Sequence, residues 1–274
     1  MARSLSLSYY TVPELTLPEA VDVAADAGCD FVGIRVLDGA PTDPSPALVR
    51  DARVRREAIA SMKDRGVRAL DASAARLRPV TDAVAFEPML DVCAELGVRH
   101  VDCSVDDPDT ARRTNTLALL CELAAQRDLR VELEFVPWMA IGTVAQAAAL
   151  VRETGATNLG ILVDALHLDR SGGHPDQLRS LPAEWLRVAQ VCDAPACTDF
   201  STADQIRVAT KARCLPGEGV LPLAAMIRAL PRDIPLALEI PMAERALHIP
   251  AVNRVKAAVH ATRRVIEHAE AHRA

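Results

Sequence analysis

The sequence predicts a single (β/α)8 barrel spanning residues 1–274, and three observations carry that expectation. Short apolar runs alternate with longer amphipathic ones along the whole chain, the pattern of repeated strand–helix units. The 274 residues, half apolar and a quarter charged, come close to the ~250 of one such barrel, and no linker or composition shift divides them. Finally, four successive apolar runs in the second half each carry one oxygen ligand near the C-terminal end. These runs are VELEF (131–135), ILVDALH (161–167), RVAQVCD (187–193) and LALEIP (236–241), and the ligands are Glu134, Asp164, Gln190 and Glu239. A doubly wound open sheet is the rival architecture. Such sheets usually carry a Gly-rich phosphate loop after the first strand, and the sequence has none there.

Taken in order, residues 4–12 read as the first strand, followed by a helix over 16–28 with Thr16 as N-cap, Pro18 in the first turn and Gly28 as stop. Strand two (31–36) leads through a helix (47–66) to strand three (67–74), and a helix (82–97) leads to strand four (100–105). A helix over 108–128 precedes strand five (130–137), and a helix over 146–155 precedes strand six (159–167). The helix 175–185 and strand seven (187–193) follow, then an irregular stretch (195–220), a helix (221–230), strand eight (235–241) and a closing helix (250–272).

Only eight aromatic residues are present, so the packing of helices on the sheet must rest on Ala, Val and Leu. A net charge of −6 without a basic block argues against a nucleic-acid partner. No apolar run approaches the ~20 residues of a membrane span, and MARSLSLSYY lacks a signal-peptide core, so no membrane association and a cytoplasmic location are expected. The seven cysteines are odd in number, scattered and never spaced CxxC; they read as reduced thiols filling core gaps.

A carboxylate inside an apolar strand costs several kcal/mol unless it is paired or coordinated. Four such costs at matching places imply one shared purpose, and barrel active sites lie at the C-terminal ends of the strands. Glu134, Asp164, Gln190 and Glu239 all face the mouth if Leu162, Val188 and Ala237 face inward one layer down. The same alternation puts Glu132 directly below Glu134, where it needs a buried partner that the sequence does not name. Four oxygens suit Mn²⁺ first, with Mg²⁺ or Co²⁺ as alternatives, better than they suit a thiolate zinc site. Each of the four alone also reads as an isolated strand-end polar group or a helix cap.

The ordered set E-F after strand five, D-x-x-H (Asp164, His167), Q-x-x-D (Gln190, Asp193), R-x-x-P-G-E-G (Arg213 to Gly219) and L-A-L-E on strand eight resembles the sugar phosphate isomerase/epimerase superfamily, the xylose isomerase-like TIM barrels. The resemblance covers nearly the whole chain. It implies a divalent metal held by Glu134, Asp164, Gln190 and Glu239, with Gln190 standing where the family usually has His. It further implies Glu134 and Glu239 as acid and base on a metal-chelated hydroxyketone, with His167 donating to a substrate oxygen. His167 also reads as a partner that orients Asp164, or as a surface histidine. The implied activity is isomerisation or epimerisation of a small polyhydroxylated ketone. A lyase or dehydratase acting on a cyclic hydroxyketone (an inosose, 3-dehydroshikimate, or an oxidised C-glycoside) is the alternative. The change from His to Gln keeps open a non-catalytic, ligand-binding barrel, while endonuclease activity is not expected.

Tyr9, Arg35, Trp138 and Arg213 are the remaining candidates for contact with substrate, expected to be a small polyol or ketose. Tyr9, Tyr10 and Trp138 fall at strand ends and either wall a pocket for a sugar or ring face or pack at the rim. Arg35 either pairs with Asp71 or reaches a substrate anion. Arg213 either orders the P-G-E-G turn with Glu218 or meets substrate. Pairing of two copies through helices is a further expectation.

Overall fold

The computed structural model describes residues 3–36 and 46–272; residues 1–2, 37–45 and 273–274 of the expected domain lie outside the described residues. Chain order gives β1 (Leu5–Leu7), α1 (Leu17–Ala27), β2 (Phe31–Arg35), α2 (Pro46–Arg50), α3 (Ala52–Arg65), β3 (Arg68–Leu77), α4 (Glu87–Glu95), β4 (His100–Val105), α5 (Thr110–Ala125) and β5 (Arg130–Glu134). The second half adds α6 (Val144–Thr154), β6 (Leu159–Asp164), α7 (Ala165–Arg170), α8 (Pro175–Arg179), β7 (Ala189–Val191), α9 (Thr202–Lys211), α10 (Leu223–Ala229), β8 (Leu236–Leu238), α11 (Ala243–Ala246) and α12 (Ala251–Ala271). The eight strands pair in parallel in sequence order, and β8 closes on β1 to give a (β/α)8 barrel.

Several elements differ from the sequence expectation, each for a local reason. The first strand stops at Leu7, and Tyr9–Thr11 form a 3-10 turn held by Thr11 Oγ1 on the Leu238 carbonyl at 2.7 Å. The helix expected over 47–66 is two helices, broken at Asp51, whose carboxylate caps α3 by accepting from Arg53 N at 2.8 Å. Strand six ends at Asp164 rather than running to residue 167, because Asp164 caps α7. The stretch 195–220 contains α9, which starts at Ser201, whose hydroxyl accepts from Asp204 N at 3.2 Å. Strand three runs on to Leu77, with a register shift against β4 between Ala72 and Ala75.

Between the strands and the helical layer lies the large apolar core, built mostly from Val, Leu, Ile and Ala. Inside the barrel sits a separate small apolar cluster of Leu70, Leu162, Val188 and Ala237, with Phe31 against it. Leu162, Val188 and Ala237 are two residues before Asp164, Gln190 and Glu239, so strand alternation carries those three side chains inward one layer higher. Glu132, fully buried, finds its partners at the other end of the barrel. Its Oε1 lies 2.8 Å from His100 Nδ1 and 3.6 Å from Arg187 Nη1. Gly160 makes room for this group, since a Cβ there would stand 2.3 Å from Glu132 Oε2.

Candidate active site at the mouth of the barrel

Glu134 ends β5, Asp164 ends β6 in register with Gln190 of β7, and Glu239 follows β8 directly. One oxygen from each of Glu134, Asp164 and Glu239 lies within 4.8 Å of the others. Gln190 joins them by donating from Nε2 to Glu239 Oε1 at 3.0 Å, while its own Oε1 is buried without a partner among the described residues. Ser8 Oγ donates to the same Glu239 oxygen at 3.3 Å.

Arg213 enters this cluster from the segment after α9. Bridges between Asp193 and Cys214 and between Ala212 and Met242 fix the backbone on both sides of it. Its Nη1 donates to Asp164 Oδ2, its Nη2 lies 2.9 Å from Glu239 Oε2, and its Nε donates to the Ala209 carbonyl at 2.9 Å. Of the two alternatives for Arg213, pairing with Glu218 is therefore not the one found. Glu218 pairs with Arg245 at 2.8 Å and accepts from Leu215 N at 3.2 Å within its own turn.

Three acids beside one guanidinium, two of them buried and Glu134 half-buried, cannot all ionise freely. Burial, then the charges of Glu239 and Asp164, push the Glu134 carboxyl well above the usual carboxylate range. Burial pushes Glu239 up to about 7, with Arg213 opposing. Burial also acts on Asp164, but Arg213, His167 and their hydrogen bonds outweigh it and leave that carboxyl below its usual value. His167, whose backbone N donates to Asp164 Oδ1 at 2.9 Å, is lowered to about 4 by burial and is neutral. Its Nε2 lies 3.7 Å from Glu134 Oε1, and its ring meets Trp138 edge to face at 5.3 Å.

These residues fit a hard divalent cation: three carboxylates in mutual reach, two with raised pKa, and an orphaned amide oxygen beside them. Below and beside them is a cavity of about 100 Å³, lined also by Tyr10, Ser73, Arg76, Asp102 and Trp138. Tyr9 lies against Tyr10, centroids 4.3 Å apart, but borders a different cavity of about 380 Å³ together with Arg35. The Arg35 guanidinium lies 5.0 Å from the Tyr9 ring centroid. The sequence reading missed Ser8, Ser73, Arg76 and Asp102. Three of these are on β3 and β4, away from the four motif-bearing strands, and Ser73 and Arg76 flank the register shift that spoils the alternation of β3.

Comparison with known proteins agrees with this geometry. The chain is 31% identical over 223 residues to a 3-dehydroshikimate dehydratase of Pseudomonas aeruginosa, covering 77% of this chain and 33% of that protein. It thus spans about a third of the length of that curated relative. An inosose isomerase of Bacillus subtilis is 24% identical over 155 residues, covering 53% of this chain and 54% of that enzyme. The crystal structure of the IOLI protein with a binding zinc atom superposes with a TM-score of 0.79 at 19% identity, covering 97% of this chain and 98% of that one. A family profile matches residues 21–268, nearly the whole barrel, and with the closed eight-strand sheet and its acidic mouth it establishes that the chain belongs to the xylose isomerase-like TIM barrel family.

Proposed function

We propose that this chain removes water from a carboxylated cyclic hydroxyketone of the 3-dehydroshikimate kind. It would do so by taking the proton beside the ketone and expelling the hydroxyl one carbon further on. The observation that carries this reading is the unequal restraint of the two glutamates. Glu239 is held by donors from Ser8, Gln190 and Arg213. Glu134 accepts no hydrogen bond from the described residues, and His167 Nε2 stands 3.7 Å from its Oε1. One mobile proton-handling side suffices for elimination, whereas epimerisation needs a carrier on each face of the substrate. The substrate class is supported by Arg76, whose guanidinium has no ion-pair partner among the described residues and borders the same cavity, while Arg213 is saturated. The likeness to 3-dehydroshikimate dehydratase points the same way.

Glu134, Asp164, Gln190 and Glu239 would hold a divalent cation, which when bound supplies polarisation of the ketone and stabilisation of negative charge on its oxygen. His167, neutral in its buried place, takes the α-proton at Nε2, and the Glu134 carboxylate beside it offsets the imidazolium charge. Trp138 fixes the imidazole plane and, with Tyr10, keeps water from the reacting carbons. Isomerisation of a neutral cyclic ketone uses the same base, and the likeness to inosose isomerase makes it the second reading.

The test is incubation of the Mn²⁺-loaded protein with 3-dehydroshikimate, following the ultraviolet absorbance of a conjugated product. Arg76→Ala is expected to raise KM for this substrate by about tenfold or more through loss of one charge-assisted contact, with kcat little changed. Turnover of inosose but not of 3-dehydroshikimate would transfer the assignment to the isomerase reading.

A further inference from the structure

Asp102 and Asp71 have no part in the chemistry above, yet they are two further buried acids of the barrel interior. Asp102, on β4, is 2% exposed and lines the same cavity as Glu134 and His167, on the strand next to β5. Ser104, two residues on, is in register with Glu134, so Asp102 sits one pleat below the glutamate, at the floor of the cavity. Ser73 Oγ donates to its Oδ2 at 2.6 Å. Among the described residues no donor reaches its Oδ1, nor Oδ1 of Asp71, although both atoms are buried. Asp71 lies on the neighbouring strand β3, two residues before the Ser73 that holds Asp102. Two buried carboxyls on adjacent strands repel each other when both are anionic; one proton shared by the pair relieves the repulsion and supplies the missing donor. Asp71 is in turn pinned from behind, since Gly33 on β2 leaves only room for its carboxylate: a Cβ there would stand 2.9 Å from Asp71 Oδ1.

We propose that the Asp71–Asp102 pair is the general acid of the elimination, with Asp102 delivering its proton to the departing hydroxyl and Asp71 keeping that proton in place. The assignment rests on the lyase reading and gives it the half that the mouth cluster lacks. The mouth carboxylates are assigned to the cation, Arg213 is saturated and Arg76 is assigned to the substrate carboxylate, whereas Asp102 stands at the floor of the same cavity, placed to donate to a leaving oxygen. In the step, the electron pair of the α C–H bond forms the new carbon–carbon double bond. The carbon–oxygen bond of the β-hydroxyl breaks, and the Asp102 proton completes a water molecule. The proton taken by His167 leaves to solvent, and the aspartate pair regains one from solvent. Substrate loses one water and nothing is oxidised. Burial, then the charge of Asp71, hold the Asp102 carboxyl well above the usual carboxylate range, which agrees with its carrying a proton at neutral pH.

The experiment uses the full chain supplied with Mn²⁺ and 3-dehydroshikimate in D₂O, reading α-proton exchange by NMR and product by absorbance in the same tube. Asp102→Asn is expected to keep exchange within about threefold of the parent while product formation falls by about a hundredfold or more, the usual worth of a general acid. Ser73→Ala, which leaves both carboxyls in place but frees Asp102 from its tether, is expected to lose about tenfold in product formation with exchange unchanged. Product formation by Asp102→Asn within threefold of the parent, or exchange and elimination falling together, overturns the assignment. If Asp102→Asn shows no cooperative melting transition, Ser73→Ala decides by the same split. A parent that shows neither exchange nor product refutes the lyase reading itself; a parent that does both, with variants that also do both, refutes only the acid.

Discussion

Replacing Arg213 with Met tests the electrostatic design of the mouth, because it keeps the apolar stem of the side chain and removes the guanidinium. That group is buried and touches Asp164 and Glu239, two carboxylates that are themselves buried. It also serves the carbonyls of Ala209 at 2.9 Å and Glu239 at 3.2 Å. Breaking a buried ion pair by deleting one partner costs about 3–5 kcal/mol, since the remaining charge is left uncompensated. Glu239 can escape part of this by binding a proton, which places the total near the lower end at neutral pH. For a chain of this size each kcal/mol is worth about 2 °C, so melting in the presence of a chelator should fall by about 6 °C. Added Mn²⁺ should return more of the lost melting temperature to the variant than it adds to the parent, because the cation takes over the charge that Arg213 supplied. Calorimetry with chelator and with Mn²⁺ measures both quantities. Equal melting temperatures of parent and Arg213→Met in chelator would refute the reasoning.

Other outcomes follow from the same geometry. Glu239 ionises near 7 when folded but near 4.5 when unfolded, so the unfolded chain sheds this proton first. The metal-free protein is therefore expected to lose stability as pH rises between those two values and to level off above the higher one, and Glu239→Gln should flatten the trend in chelator-treated melts. Over the same window Mn²⁺ must displace that proton, so its affinity, followed by titration calorimetry, should fall by about tenfold per pH unit as pH drops. Glu239→Gln should also abolish turnover while keeping the melting transition, and retained turnover would remove Glu239 from the ligand set. At the opposite end of the barrel, Gly160→Ala forces a Cβ to within 2.3 Å of Glu132 Oε2 and 2.8 Å of Arg187 Nη1. Urea unfolding should report a loss of about 1–3 kcal/mol, with activity per folded molecule unchanged.

The barrel was readable because its strands are short apolar runs at regular spacing, and the alternation within them correctly placed Leu162, Val188 and Ala237 inside. The buried partner demanded for Glu132 exists in His100 and Arg187, but pairing across strands is not encoded in any one strand, so no local pattern could name it. Arg213 was visible as a motif residue, yet its distance of 49 residues from Asp164 along the chain hid the contact. The helix α9 left a signal that went unread: Ser201 three residues before Asp204 is a capping pattern inside a stretch taken as irregular. Ser73 was unreadable for a different reason. The register shift on β3 breaks the period of two, and a polar residue in such a strand cannot be given a face by counting.

Asp164 does two jobs at one place: its carboxylate ends β6 at the acidic cluster proposed to take a cation and also starts α7 by accepting from the His167 backbone. Whatever grips or releases this carboxylate therefore pulls on the first turn of a helix, and the imidazole rides on that turn. On the proposed roles, loading the mouth and aiming the base become a single mechanical event, and occupancy is expected to be followed from afar through the His167 ring and the indole of Trp138 that rests on it.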